Sequence, residues 1–448
     1  MLTFALISGL VSGQICWQQG GDLKCSIEGT HPHGSRVQRA GGRQSSDVLQ
    51  QIAPVGGTGG FASACACTNV TTASGSTITW TRAGSATCSP LGLATTGITT
   101  NSITTCASNL PRVESDGTAN GVRSEKASQN DCLQSEDLAT TWTASAAITT
   151  NTTTSPFVSK ISDADTMTDS SGVAAQGVSQ VITTAAARKH SFSCYVMAGT
   201  LSAGTISVTG TGSATGDCST AFSGLSGATY SRVSCYSAAA YAGTLTAVTV
   251  SITAGAVAAD TGTLIVTGCQ HESGDANHQG YVSSYIPTTT AAASRIADTP
   301  ALPANLFPAG GVSITAFVTP QWVIADLTNF GALFDWQTGS ASGALWLIGS
   351  GGTRFQTLNG ASASLITAPS PAMAPGVTRK IGALNAAGFT SNYEDGALIG
   401  GPTATNVMAG PGGPTPGVGY SPTSGAGTQC DCIISRMAWA RTAGVNPQ

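Results

Sequence analysis

Charge is what this chain has least of. Asp, Glu, Lys and Arg together make up 9% of its 448 residues, against roughly a quarter in an ordinary soluble domain. The signs are nearly balanced, 18 Lys+Arg against 22 Asp+Glu, for a formal net charge of -4. Without a basic excess there is no stripe to displace counterions from a phosphate backbone, which argues against nucleic acid as a partner. Nor is there a polybasic segment to hold an anionic membrane surface. Residues 1–13, MLTFALISGLVSG, are apolar but too short to span a bilayer, and they lack the basic start of a signal peptide. They read as a retained arm buried in a neighbour or in the chain's own fold, with a signal-peptide core as the other reading.

Catalytic signatures are missing as well. No G-x-S-x-G elbow stands between a strand and a helix with partners that can be placed. Asp163, Asp165 and Asp169 lie close together and Glu394 adjoins Asp395, but paired carboxylates need a defined separation across a substrate, and acids in turns are more often solvated. No catalytic residue, cofactor or metal site is therefore assigned. His31 and His33 flank a proline with no carboxylate nearby, the pattern of a surface loop more than of a metal site. The second half of the chain has no cluster of acids to ligate calcium.

What the chain does have is Gly (56 residues), small hydroxyl and methyl side chains, and thirteen cysteines. An odd count leaves at least one cysteine free, metal-bound or paired between chains, and the richness points to an oxidising exterior. Cys65 with Cys67, and Cys430 with Cys432, are close pairs that would form a four-sulfur zinc site only if they met; disulfides or buried thiols are the simpler reading. Cys269, His271 and His278 invite a metal but lack a fourth ligand. Cys194 and Cys235, on strands that could be neighbours, are the best single disulfide candidate. A surface this poor in long charged side chains also has little to oppose edge-to-edge association, so the working state is expected to be an assembly, a homo-oligomer included.

Length alone suggests two or three domains, and the patterning is all-β. Residues 1–60 have no sustained period and read as an extended N-terminal arm, with a short helical turn at 46–52. Residues 61–129 read as a small β region with its clearest strand at 77–81. Strands at 179–183, 190–197, 205–208, 230–236, 245–252 and 262–266 follow at sandwich spacing. Phe192, Cys194 and Val196 share one face there, because strand side chains alternate, and that face is expected to be core. A second set at 311–318, 330–336, 344–349, 354–358, 379–385 and 430–439 gives a second sandwich, with Asp395-Gly396 suited to a tight hairpin turn and 400–427 as a long loop.

The order of residues 280–298, GYVSSYIPTTTAAASRIAD, is distinctive. It resembles the "SSYIPTT…A.TR.AD" hinge of tailed-bacteriophage virion proteins, which joins a carbohydrate-binding-module-like jelly roll to a laminin-G or concanavalin-like sandwich. Three further stretches resemble the same family in the same order. Trp80-Thr81-Arg82 with the residues to Thr87 is similar to "FTRASTAT". Pro111-Arg112 with Gly121-Val122-Arg123-Ser124-Glu125 is similar to "PR…DG…LLVE", and Asn130 to Leu138 with Trp142 to "NLL.nSEDf…W". The 190–196 and 230–235 strands resemble "y.fSvYvkaG" and "w.R.s", and Asn392 to Gly396 resembles "lYvDG".

The resemblance implies tandem β-sandwiches, a jelly roll over 130–287 and a laminin-G-like domain over 288–448. It implies a non-enzymatic structural protein on a virion surface, as fibre, spike or decoration, whose arm meets other virion proteins and whose sandwiches could touch a host surface glycan. A secreted or cell-surface carbohydrate-binding adhesin is the alternative. For a glycan site the aromatic candidates are Trp322, Trp336, Trp346 and Trp439, although strand tryptophans are more often core than platform.

Overall fold

The computed structural model describes residues 14–19, 22–27, 50–52, 66–67 and 79–440, less 93, 116–119, 185–186, 274–281, 303–312, 322–330, 336–343, 349–353, 360–363, 370–372, 387–388, 405–416 and 420–428. These residues form strands and turns without a helix. Met1–Ser46 forms one compact unit and Asp47–Gln448 another. In the first, Gln14–Gln19 and Asp22–Ile27 make an antiparallel hairpin in which Cys16 lies opposite Cys25. The stretch expected to be an extended arm thus contains paired strands. Residues 1–13 and the His31/His33 pair lie outside the described residues.

The larger unit holds tandem β-sandwiches. The first has two five-stranded antiparallel sheets. One runs Thr143–Ala144, Gly177–Thr183, Ala247–Ala254, Gly204–Thr211, Cys218–Phe222. The other runs Ala147–Thr153, Ala164–Asp169, Gly262–Ser273, His190–Ala198, Ser231–Tyr236. Successive strands cross repeatedly between the sheets, as in a jelly roll. Val248, Val250 and Ile252 alternate inward from the first sheet and Phe192, Cys194 and Val196 from the second, all fully buried. Each such side chain contributes roughly 1.5–3 kcal/mol when removed from water.

The His190–Ala198 strand is buried on both faces, because a second layer covers its outer side. There Tyr195 and Met197 meet Ile98, Ile103, Phe157, Tyr230 and Tyr285. Tyr285 stacks on Phe157 at 4.3 Å between ring centroids, and Tyr195 meets both edge-on.

The second sandwich recruits strands from far upstream. Its seven-stranded sheet runs Ser364–Pro369, Arg354–Asn359, Ala344–Ile348, Gly331–Asp335, Gly417–Val418, Thr299–Ala301, Thr79–Thr81. Its nine-stranded sheet runs from Ala397–Ala404 through Phe389–Glu394, Arg379–Ala386, Ser313–Pro320 and Cys432–Ala440 to Asn120–Ser124, Arg112–Ser115 and Ala66–Cys67. Gln50–Ile52 also pairs with Cys432–Ala440, so this stretch is a strand where a helical turn was expected.

The small β region expected at 61–129 is therefore not separate. Several of its strands complete sheets whose other members lie beyond residue 298. The expected loop at 400–427 is likewise interrupted, by the end of Ala397–Ala404 and by Gly417–Val418. The hairpin at Asp395-Gly396 forms as expected, with φ of 47° and 86°.

The disulfides correct the Cys194–Cys235 pairing. The two strands are neighbours, but Cys194 lies opposite Val233 and Cys235 opposite Phe192. Cys194 instead bonds Cys269 on its other flank, where the register slips between Ser193 and Tyr195. Cys235 bonds Cys218, linking edge strands of the two sheets. Cys67 pairs with Cys106 and Cys430 with Cys432, so Cys67, Cys430 and Cys432 are not left for zinc; Cys65 lies outside the described residues. Cys88 is also disulfide-bonded, whereas Cys132 is a free, buried thiol.

Candidate functional site: the buried junction

The hinge crosses the outer face of the first sandwich, and the polar residues of that face receive it. Gln270 Oε1 accepts from the Ile286 N–H at 2.7 Å. Glu272 accepts from the Ser283 N–H and hydroxyl at 2.9 and 2.6 Å, and Arg232 Nη1 donates to the Ser283 carbonyl at 2.6 Å. From the other side, Asn130 Nδ2 donates to the Ile286 carbonyl at 2.8 Å, the Ser135 hydroxyl accepts from the Thr288 N–H at 2.9 Å, and Glu136 accepts from the Tyr285 hydroxyl at 3.1 Å. A paired hinge of this kind has few rotatable freedoms left.

Beyond the hinge stands a cluster of four arginines and three carboxylates, all with nearly inaccessible side chains. Asp298 takes Arg112 Nη2 at 2.5 Å, Arg82 Nη1 at 2.9 Å and the Trp80 indole N–H at 3.3 Å. Glu125 takes Arg112 Nη1 and Arg123 Nη2, both at 2.6 Å, and a close contact from Arg295. The Ser284 hydroxyl completes Glu125 at 2.7 Å, and Glu114 takes Arg123 Nη1 at 2.6 Å. Nearby, Lys126 meets Asp431 at 3.4 Å.

Burial alone would push the Glu125 carboxyl up, but Arg112, Arg123 and Arg295 together hold it well below the ordinary carboxylate range. Asp298 is likewise lowered by Arg112, Arg295 and Arg82 against its burial. Carboxylates held ionised this firmly are weak bases. What the cluster does chemically is fasten: buried, mutually paired charges fix one geometry because any other leaves an unpaired ion in the interior.

The acids singled out in the sequence are also structural. Asp165 accepts from the N–H groups of Leu138 and Asn151, Asp169 from those of Ser171 and Gln176, and Asp163 from that of Ser155. Asp395 accepts from the Lys380 N–H and from Arg379, with Glu394 3.8 Å from the same guanidinium. His271 lies 3.2 Å from Asp131 and 3.0 Å from His190, both rings buried, while Cys269 is consumed by its disulfide. No group of three or more potential metal ligands occurs among the described residues. His278, Trp322 and Trp336 lie outside them; Trp346 and Trp439 are on strands.

Beside the cluster opens a cleft of about 400 Å³, lined among others by Ser89, Thr95, Tyr195, Arg232, Ser234, Tyr236, Ser284 and Gln321. Composition and spacing gave no sign of it, because its walls come from widely separated stretches of chain.

No family model matches the chain, and no curated protein does. Among solved structures, the N-terminal CBM22-1-CBM22-2 tandem domain from Paenibacillus barcinonensis Xyn10C is similar at 11% identity, over 71% of this chain and 98% of that one, with a TM-score of 0.25. A likeness that slight adds nothing to the strand pairing itself, on which the description of tandem β-sandwiches rests.

Proposed function

We propose that this chain is a non-enzymatic structural protein of a tailed-phage virion, exposed on the particle as fibre, spike or decoration. One observation carries the reading. The four stretches that resemble phage virion modules converge on one place: Trp80 and Arg82 on Asp298, Arg112 and Glu125 on Ser284, Arg295 and Asp298, and Asn130, Ser135 and Glu136 on Tyr285 to Thr288. Motifs that are scattered in the sequence have a common task, holding two sandwiches in one fixed relation. A rigid, charge-poor double sandwich suits a part whose work is to be displayed and to associate.

In this reading the arm at residues 1–60 anchors to other virion proteins, the chain forms a homo-oligomer, and nucleic acid and membrane are not partners. The test is cryo-electron microscopy of purified particles. Many symmetric copies, with the N-terminal arm seated on another virion protein, are the expected result. Its absence from every particle, with the chain found free or on cells, would overturn the virion reading in favour of a bacterial adhesin.

A further inference from the structure

Arg232 stands apart from its neighbours. Arg82, Arg112, Arg123 and Arg295 each meet a buried carboxylate, whereas Arg232 enters no ion pair among the described residues. Yet it is not loose. Nε donates to the Ser193 hydroxyl at 3.2 Å, Nη1 to the Ser283 carbonyl at 2.6 Å, and the guanidinium carbon lies 5.2 Å from the centroid of the Tyr195 ring. Two of its three nitrogens are committed and its plane is fixed, while Nη2 has no hydrogen-bond partner. That is a preorganised donor without an acceptor, and leaving such a group unmatched is costly.

Gln321, which lines the same cleft, presents the complementary deficit. It is 9% exposed, and its Oε1 is an acceptor without a donor. A row along one strand face, Arg232, Ser234 and Tyr236, also lines the cleft, its members sharing a side because strand residues two apart do. The Tyr236 ring is 53% exposed at the rim, a large aromatic surface with nothing described over it. The hydroxyls of Ser89, Thr95 and Ser234 complete the wall. Glu114, the acid lining the cleft, is already paired with Arg123, so its carboxylate is not free to take the Arg232 cation.

A ligand that satisfies both orphans must offer an anionic acceptor to Arg232 and an O–H donor to Gln321, and an apolar ring face to Tyr236. Acidic saccharides combine these: a carboxylate, several hydroxyls and a C–H face that stacks on aromatic rings. The volume suits about one or two sugar rings. We propose that the cleft between Arg232, Tyr236 and Gln321 binds a carboxylate-bearing saccharide, with the carboxylate on Arg232 and a ring hydroxyl on Gln321. The inference does not depend on whether the chain sits on a virion or a cell.

The test is ligand-observed NMR on the full chain with D-glucuronic acid, N-acetylneuraminic acid and D-glucose as probes. At least one acid is expected to bind, with D-glucose weaker by about tenfold or more, the value of a charge-assisted hydrogen bond. Arg232→Gln should abolish that preference. Because Arg232 also supports the hinge, Tyr236→Ala serves as the second variant: its exposed ring can be removed without unfolding the chain, and binding should weaken by about fivefold or more. Failure of both acids to bind at millimolar concentration, equal binding of D-glucose, or no effect of Tyr236→Ala would overturn the proposal.

Discussion

Arg112 Nη2 lies 2.5 Å from the Asp298 carboxylate although 186 residues separate them in the chain. The same guanidinium reaches Glu125 and the Ser284 hydroxyl, so one side chain closes the upstream strands, the hinge and the start of the second sandwich together. Replacing Arg112 with Met keeps most of its bulk but leaves two carboxylates with one cation fewer in a site that water does not enter. The expected loss is about 3–5 kcal/mol, read as a lower urea midpoint. A loss under about 1 kcal/mol would mean that the remaining arginines suffice.

Acid should act on the same place. Glu125 and Asp298 have folded-state values held below the ordinary carboxylate range. The unfolded chain therefore takes up their protons first, at about pH 4, and their stabilisation is complete above that value and lost as the pH falls through the folded ones. Glu136 and Asp165 are raised by burial and have the opposite sign, gaining stability as pH falls between their folded and unfolded values. The arginine-paired, fully buried carboxylates should dominate. Melting temperature is expected to drop steeply below about pH 4, and Glu125→Gln, less stable at neutral pH, should show a shallower drop. An unchanged slope in that variant would place the acid sensitivity elsewhere.

How far the sequence foreshadows this depends on how local each signal is. The alternation Phe192, Cys194, Val196 and the Asp395-Gly396 turn depend on residues within a few positions of one another, and both form as read. The Ala147–Thr153 strand has no fully buried residue; it exists because Ala164–Asp169 pairs with it, and no hydrophobic period announces it. The expected independence of the small β region at 61–129 fails for a related reason. Arg112–Ser115 and Asn120–Ser124 look like a short local β unit, yet Asn120–Ser124 pairs with Cys432–Ala440, near the other end of the chain. The motifs at the junction were visible as text, but the contacts joining them are long-range. Cys194 and Cys235 show the same limit on a smaller scale: adjacency was legible and register was not.

The cysteines should divide sharply by reactivity. Cys132 is fully buried, and its thiol is pushed well above the ordinary range by burial, with the nearby Asp131 adding to the effect. Since the thiolate is the reactive form, iodoacetamide should leave Cys132 unmodified in the native protein and label it once the chain is unfolded. Peptide mass spectrometry distinguishes the two states. Native labelling at a rate near that of a free thiol would mean that the region around Cys132 opens readily.

Cys218–Cys235 should matter out of proportion to its short loop, a separation of 17 residues. It ties the edge strand Cys218–Phe222 of one sheet to the edge strand Ser231–Tyr236 of the other, where each strand has a sheet neighbour on one side only. Replacing both cysteines with Ser should cost about 2–4 kcal/mol in a urea titration. The free edges should also exchange backbone hydrogens sooner than the buried Ala247–Ala254 strand. Uniform exchange across the sandwich in that variant would show that the disulfide stabilises the whole domain and does not guard its edges.

Tyr285 joins the hinge to the first sandwich in two ways that substitution can separate. Its ring stacks on Phe157, and its hydroxyl lies 2.6 Å from Ser135 Oγ and donates to Glu136 at 3.1 Å. Tyr285→Phe keeps the ring and takes one hydrogen bond from each of two buried polar groups, for an expected cost of about 1–3 kcal/mol. Gly268→Ala attacks the ring cluster from the opposite side. Gly268 has φ of +59°, and an added Cβ would stand 2.5 Å from the Phe157 ring and 2.9 Å from that of Tyr195. The rings are packed on both sides and cannot yield without disturbing Tyr285. Gly268→Ala should therefore destabilise by about 1–3 kcal/mol, and the double variant with Tyr285→Phe should lose less than the sum of the two single losses, since both weaken the attachment of the one residue Tyr285 to the first sandwich. Strict additivity in the double variant would mean that the ring stack and the hydroxyl hold the hinge independently.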